Sequence, residues 1–269
     1  MLSYNLWFSM LKSEEIIKRM KLNIVMAAAK AGEGHIASAF SVLDILWVLY
    51  DRVLKIDPQR PYVDDRDRFI LSKGHASLGL YAVLLEKGFC PEYQLDGFVA
   101  YNSRFGGHPD RNKFPGIEAS TGSLGHGFPM AVGIAMGLKI RNIPSQVYTL
   151  IGDGEANEGT IWESALLASH HQLGNLCCII DYNHSTDRAL CMGDFKRKFE
   201  AFGWDAVEID GHDHAQIQEV LTRTTGQIPW VVVARTVKGK GCRRMESEPA
   251  WHHRAPKSDE LVAILEELA

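Results

Sequence analysis

Apolar positions recur at helical spacing at the start of the chain. Ile16, Ile17, Met20 and Ile24 fall on one face of a helix opened by Ser13-Glu14-Glu15, a cap residue followed by acids, that should stop near Gly32. A second helix, from about Ser38 to Val53, carries Leu43, Leu46, Trp47 and Tyr50 on one side, so Trp47 reads as core. Arg68-Phe69-Ile70-Leu71 is a short strand that runs into Ser72-Lys73-Gly74-His75 and then a helix to about Lys87. Loops rich in Gly and His fill residues 101 to 127, and a small-residue helix, Met130 to Leu138, follows. Beyond this the pattern becomes regular. Strands near 147–151, 176–182, 205–209 and 230–235 alternate with helices near 157–173, 194–202 and 213–224, the third strand being short and ambiguous. Such alternation predicts an α/β fold with a parallel sheet covered by helices on both faces. The tail from Lys238 to Pro256 looks too rich in Gly and charge for core, and a closing helix runs from about Ser258 to Leu268.

At 269 residues and 46% hydrophobic, the chain can bury one large core, and no repeat or linker divides it, so residues 1–269 read as a single domain. The first twelve residues include Leu6, Trp7, Phe8, Met10 and Leu11 but lack a basic start and a small-residue cleavage site. They read as a docking segment rather than a signal peptide. A net charge of −4 leaves no broad basic footprint, and Arg243-Arg244 is too short to form one, so nucleic acid is not an expected partner. No apolar run approaches a membrane span. Cys90, Cys177, Cys178, Cys191 and Cys242 show no metal-ligand spacing and read as small buried hydrophobes of a cytoplasmic protein. Cys177 and Cys178, adjacent in a strand, should point to opposite faces.

Candidate chemistry concentrates in Ile151-Gly152-Asp153-Gly154-Glu155-Ala156-Asn157-Glu158-Gly159, answered by Ile180-Asp181-Tyr182-Asn183. The first segment reads as a strand running out into a Gly-bracketed carboxylate and then a helix; the second is a strand delivering an amide. Gly-Asp-Gly alone also makes an ordinary turn. The spacing to Asn183 fits one strand–helix–strand unit, which puts both polar groups at carboxyl ends of strands, where ligands bind in open parallel sheets. Asp153 and the Asn183 oxygen are hard ligands suited to magnesium, and a diphosphate could fill further positions. A helix beginning near Asn157 would aim free N–H groups at that anion.

Four segments place histidine beside glycine or in a predicted loop: Gly34-His35, Gly74-His75, Gly107-His108-Pro109 and Trp251-His252-His253. A lone loop histidine is usually solvated, but four around a predicted phosphate site suit an anionic sugar and proton movement near neutral pH. Only the adjacent His252-His253 pair approaches zinc-like spacing, so a zinc site is not expected.

From about Ser13 to Pro256 the chain resembles the diphosphate-binding N-terminal domain of transketolases. The resemblance rests on Glu33-Gly34-His35, Asp67 through Ser77, Gly107-His108-Pro109, Ser120 through Gly127, Gly152 through Gly159, Asn183, Gly211-His212-Asp213 and Trp251 through Pro256. It implies thiamine diphosphate with Mg2+ or Ca2+, and transfer of a two-carbon ketol unit from a ketose phosphate to an aldose, the cofactor serving as electron sink. It also implies site roles. Asp153, Asn183 and the carbonyl of Ser185 would hold the metal. Gly152, Gly154 and Glu155, with the backbone around Gly154, would lie at the diphosphate. His75 and His252 would stand near the diphosphate and the reacting centre, and His35 and His108 near the sugar hydroxyls or carbonyl. Gly122, Ser123 and Leu124 belong to a loop whose Leu124 carbonyl meets the aminopyrimidine. Glu158 matches the acid linked across a dimer interface to a partner's catalytic glutamate, although a helix-dipole role would also suit it. Family members continue into a pyrimidine-binding domain that supplies the activating glutamate, and this chain stops before it. The resemblance therefore implies the N-terminal half of a split transketolase, paired with a separate C-terminal subunit in a dimer of heterodimers (α2β2).

The chain departs from the family at His184-Ser185-Thr186-Asp187-Arg188, where an aliphatic residue and Asp-Gly are usual, at His126, where Gln is common, and at His253-Arg254. These departures leave cofactor binding expected and put a standard pentose phosphate in doubt; a branched or otherwise modified sugar phosphate is the rival. Two other readings stand beside it: a different thiamine-diphosphate enzyme, such as a deoxyxylulose-phosphate synthase or a 2-oxo acid dehydrogenase component, and a degenerate regulatory partner. His35, His108 and the Trp251–Pro256 stretch oppose the first, and the intact Asp153, Asn183, Glu158, His75 and His252 oppose the second.

Overall fold

The computed structural model describes residues 2–91, 94–187, 189–223 and 225–269, with residues 2–11 as backbone only; the side chains of the apolar docking segment lie outside the described residues. Helix α1 (Leu2–Ala31) ends at Gly32, whose φ of +78° is the left-handed conformation that lets glycine close a helix. The expected start at Ser13 is not a start. Ser13 lies inside the helix, buried, with its hydroxyl accepting from Trp47 Nε1 at 3.3 Å and from the Arg52 guanidinium at 3.0 Å. Its role is tertiary, so a cap-like residue followed by acids misplaced the boundary by a whole segment.

Helix α2 (Ile36–Val48) passes into a wider turn, Leu49–Val53, and α3 (Ser77–Glu86) follows β1 (Arg68–Leu71) and one tight turn, Gly74–Ala76. Then come α4 (Gly127–Ile140), β2 (Val147–Gly152), α5 (Gly159–His170), β3 (Leu176–Tyr182), α6 (Phe195–Ala201), β4 (Asp205–Asp210), α7 (His214–Leu221), β5 (Trp230–Arg235) and α8 (Ser258–Leu268). The five strands form one parallel sheet in the order β1-β2-β3-β5-β4.

Two apolar clusters cover the sheet. One joins α1, α2, α3, α7 and α8 to side chains such as Leu71, Tyr148, Cys177 and Val232. The other packs α4, α5 and α6 against Ile70, Ile151, Cys178 and Val231. Cys177 and Cys178 thus point to opposite faces, as pleating requires. The central strands are buried along almost their whole length, whereas β4, at the sheet edge, buries only Ile209 fully. That edge position explains why its sequence pattern was weak. Cys191 is exposed, unlike the other four cysteines, and corrects the uniform expectation of buried thiols. The tail is corrected as well. Cys242 and Met245 are fully buried and Trp251 nearly so, because the Gly-rich turns fold their apolar residues back onto the first cluster.

Candidate active site

The site forms where β2 and β3 end side by side. Gly152 pairs with Asp181 in the ladder, and the Asp153 N–H donates to the Asp181 carbonyl at 3.2 Å, carrying Asp153 and Asn183 to the carboxyl edge. Asp153 is 3% exposed. Its Oδ1 accepts from the Gly154 N–H at 2.8 Å, but Oδ2 is buried with no hydrogen-bond partner among the described residues. Burial raises the Asp153 carboxyl above its ordinary range, the nearby Asp181 carboxylate adds to this, and the Gly154 N–H, the Lys73 ammonium and the Thr186 N–H pull the other way. A buried carboxylate oxygen without a partner can accept a hydrogen bond or ligate a hard cation.

Asn183 is oriented by its donors. Its Nδ2 gives hydrogen bonds to Asp181 Oδ2 at 2.9 Å and Ser41 Oγ at 3.2 Å, so Oδ1 faces the other way, accepting from the Ser185 N–H at 3.2 Å and from the Ser185 hydroxyl. No three His, Cys, Asp or Glu side chains converge for a metal among the described residues. The set available is instead one carboxylate, one amide oxygen and the main-chain carbonyl of Ser185, a hard-oxygen set that fits Mg2+ or Ca2+.

Sequence reasoning gave no role to the group beneath this edge. Asp181 is fully buried and takes the Lys73 ammonium, the Ser41 hydroxyl at 2.6 Å, the Thr236 hydroxyl and Asn183 Nδ2. Burial would raise the Asp181 carboxyl, but the Lys73 charge and the hydrogen bonds from Lys73, Ser41 and Thr236 together outweigh it and hold the group below the ordinary range. Lys238, also buried, reaches Ser185 Oγ at 3.2 Å and His252 Nδ1 at 2.9 Å. Its ammonium is pushed down by burial and by Lys73, and up by Asp181 and Asp153. Two ammoniums therefore flank the Asp153–Asn183 edge and offer an anion charge from the protein. The signal was present in the sequence: an acid and a lysine stand in segments too apolar to solvate them.

The four histidine loops converge. His35 lies 5.1 Å from His75, 5.4 Å from His252 and 4.3 Å from His253, ring centroid to centroid, and His75 lies 6.0 Å from His252. His108 stacks over Gly122 so closely that a Cβ there would stand 3.1 Å from its ring. Burial, then the neighbouring imidazoles and Lys238, lowers His35 to about 3. Burial and Lys73 depress His75 further, and His108 and His252 are shifted in the same direction by burial first. All four are neutral near pH 7, able to accept or donate hydrogen bonds to hydroxyls without adding charge.

The remaining expected residues divide. The Glu155 side chain turns inward: it accepts from the Ser72 hydroxyl, the Gly125 N–H at 2.9 Å and the Gly152 N–H at 3.2 Å, and so ties the Gly122–Gly127 loop to the Asp153 loop. Gly125 is needed there, since with φ +80° a Cβ would meet Thr160 Oγ1 at 2.6 Å and Glu158 Cβ at 2.7 Å. Glu158 is exposed at the N-terminus of α5. Ser123 is exposed and Leu124 half-buried, and the Leu124 carbonyl contacts His126 Nδ1 at 3.0 Å. The helix N-terminus expected at Asn157 is corrected. A single turn, Glu155–Asn157, intervenes, and the N–H groups of Ala156, Asn157 and Glu158 already donate to Asp153, Gly154 and Glu155 carbonyls. Among the atypical residues, His184 adopts φ +61° and binds Asp187 Oδ2 at 2.7 Å, while Arg188 lies outside the described residues.

A parallel α/β sheet that gathers buried ammoniums, hard oxygens and neutral imidazoles at its carboxyl edge suits an enzyme acting on a phosphate compound. Residues 12–268 match the family model described as transketolase, thiamine diphosphate binding domain, and the chain belongs to that family. It is 40% identical to an apulose-4-phosphate transketolase subunit of Actinobacillus succinogenes, over 98% of both chains. It is 36% identical to a 6-deoxy-6-sulfo-D-fructose transketolase subunit of a Clostridium species, over 94% of both. Human transketolase is 34% identical over 95% of this chain but 42% of its own length. The solved transketolase of Leishmania mexicana superposes with a TM-score of 0.84 at 28% identity, covering 96% of this chain and 41% of that one. The chain thus spans about two-fifths of that solved transketolase and nearly all of the two bacterial subunits. It is an enzyme subunit of transketolase type that carries a thiamine diphosphate-binding domain.

Proposed function

We propose that this chain is the diphosphate-holding half of a split transketolase, acting in the cytoplasm in an α2β2 assembly. Its partner would be a separate C-terminal subunit bearing the pyrimidine-binding domain and activating glutamate. The observation that carries the reading is the idle, buried Oδ2 of Asp153 beside the oriented Asn183 oxygen, with Lys73 and Lys238 flanking them. Asp153, Asn183 and the Ser185 carbonyl would hold Mg2+ or Ca2+, and the backbone around Gly154 would meet the diphosphate. Thiamine diphosphate, when bound, supplies the carbanion chemistry and electron sink for breaking a ketose carbon–carbon bond. The chain's own groups orient and move protons: His35 and His108 bind the sugar hydroxyls or carbonyl, and His75 and His252 exchange a proton there as neutral imidazoles.

A second reading concerns the substrate. Two full-length relatives are named for apulose 4-phosphate and 6-deoxy-6-sulfo-D-fructose. His253, one of the departures from the family pattern, stacks on His35 at 4.3 Å, beside the expected sugar pocket. We infer a branched or modified sugar phosphate as donor. Both readings are tested by co-purifying the chain with its C-terminal partner and assaying a ketose phosphate panel. Turnover of a modified donor well above that of standard pentose phosphates supports the second. Turnover of no ketose at all by the reconstituted pair refutes the first.

A further inference from the structure

The motif Gly211-His212-Asp213 belongs to the family pattern, yet His212 does not reach the metal-ligand edge. It stands behind that edge and connects to it through the main chain. His212 Nδ1 lies 2.8 Å from Asp44 Oδ2, and His212 Nε2 accepts the Val237 N–H at 2.9 Å. Asp44 projects from α2, one turn after Ser41, the residue that binds Asp181. Val237 in turn sits between Thr236, whose hydroxyl binds Asp181, and Lys238, whose ammonium reaches Ser185 and His252.

We propose that Asp44 and His212 form a positioning brace that seats the Thr236–Lys238 strap against the diphosphate site. The inference rests on the reading of that site given above. Only an imidazole protonated at Nδ1 can accept at Nε2, and only an acceptor opposite Nδ1 favours that tautomer. The Asp44 carboxylate is such an acceptor, so it fixes the ring both in orientation and in proton placement. The side chains of Asp44 and His212 are about nine-tenths buried, which keeps water from replacing either hydrogen bond. His214 Nε2 gives Asp44 a second hydrogen bond at 2.9 Å and has no hydrogen bond to the strap among the described residues, which separates support of Asp44 from support of Val237. Burial would raise the Asp44 carboxyl, yet hydrogen bonds from His212 and His214 and the Lys21 charge hold it well below the ordinary range, so it serves as a permanent acceptor.

The test compares three variants of the full chain: Asp44→Asn, His212→Phe and His214→Gln. In the chain without cofactor, the 15N shifts of the His212 ring should report the Nδ1–H tautomer, and the Val237 amide should exchange slowly. Asp44→Asn and His212→Phe should each speed Val237 exchange and weaken thiamine diphosphate binding with Mg2+, read by tryptophan fluorescence, by about tenfold, the worth of one charge-supported hydrogen bond. His214→Gln should leave both readouts within about twofold, since the strap keeps its acceptor. Equal weakening by all three variants would show general loosening and overturn the brace, as would an Nε2–H tautomer or unchanged Val237 exchange. If the unmodified chain binds no thiamine diphosphate even with its C-terminal partner present, the diphosphate reading fails, and the tautomer and exchange measurements still decide whether the brace exists.

Discussion

Asp153→Asn separates a metal-ligand role from a structural one, because the two predict opposite changes in stability. In the chain alone the carboxylate is 3% exposed, stands near Asp181 and leaves Oδ2 unbonded. An unsatisfied buried polar group costs about 1–3 kcal/mol, more if charged. Asn keeps the shape and a polar group but removes the charge, whose burial costs more than a neutral amide's, and should therefore stabilise the chain by roughly 1–3 kcal/mol. In a protein of 269 residues this corresponds to about 2–12 °C in Tm. Cofactor and metal should act oppositely on the unmodified chain. At a hundredfold excess over Kd they contribute about 2.7 kcal/mol, which raises Tm by roughly 5–10 °C. Asn at this position removes the only carboxylate of the proposed ligand set, so that rise should vanish. The pH dependence carries the same sign. The folded Asp153 carboxyl is raised above its unfolded value, so its charge is a cost at neutral pH that is relieved as pH falls through the folded value. Differential scanning fluorimetry of both proteins, with and without thiamine diphosphate and Mg2+, measures each quantity. A lower Tm for Asp153→Asn together with a retained ligand shift would refute the reasoning.

Other expectations follow from the same geometry. Glu155→Ala strands the N–H groups of Gly125 and Gly152 and the Ser72 hydroxyl; urea unfolding should show a loss of about 3 kcal/mol or more, since each hydrogen bond to a charged group is worth roughly 1.5–3 kcal/mol. Lys73→Met leaves the fully buried Asp181 uncompensated and should cost about 3–5 kcal/mol, with Tm as readout. The depressed histidines predict an acid-labile fold: the unfolded chain binds protons at His35 and His75 from about pH 6.5 down, the folded chain does not until about 3 at His35, so stability should fall across that window. A His75→Gln variant should show a shallower fall in Tm against pH. In the reconstituted enzyme, His252→Ala should lower kcat by about 10²–10⁴, the usual cost of a positioned proton-transfer group, without lowering Tm by more than a few degrees.

The fold was legible because its signals were strong and repeated. Apolar strands such as Leu176–Tyr182, buried on both faces, mark elements by physics that needs no tertiary context. What was not legible depended on residues distant in sequence. Ser13 looked like a helix cap and serves Trp47 and Arg52 instead. The Lys238–Pro256 tail looked solvated because Gly and charge outnumber Cys242, Met245 and Trp251, which only the folded chain brings onto the core. The site followed the same division. The Asp153 and Asn183 edge could be read from strand ends, whereas the Asp181–Lys73–Ser41–Thr236 group beneath it joins four separate segments. Its sequence trace is an acid inside an apolar strand, which signals only that something must neutralise it and not what. Glu155 adds what adjacency to the ligand loop could not show: its carboxylate ties two loops together.

The central claim is that this chain holds the cofactor's diphosphate end and that another polypeptide must complete the active site. The most direct measurement titrates the purified chain with its separate C-terminal partner while following two-carbon transfer from a ketose phosphate, with thiamine diphosphate and Mg2+ saturating. The account predicts no turnover by either chain alone and activity that rises with added partner to a plateau at equimolar ratio. Full turnover by this chain alone would contradict it.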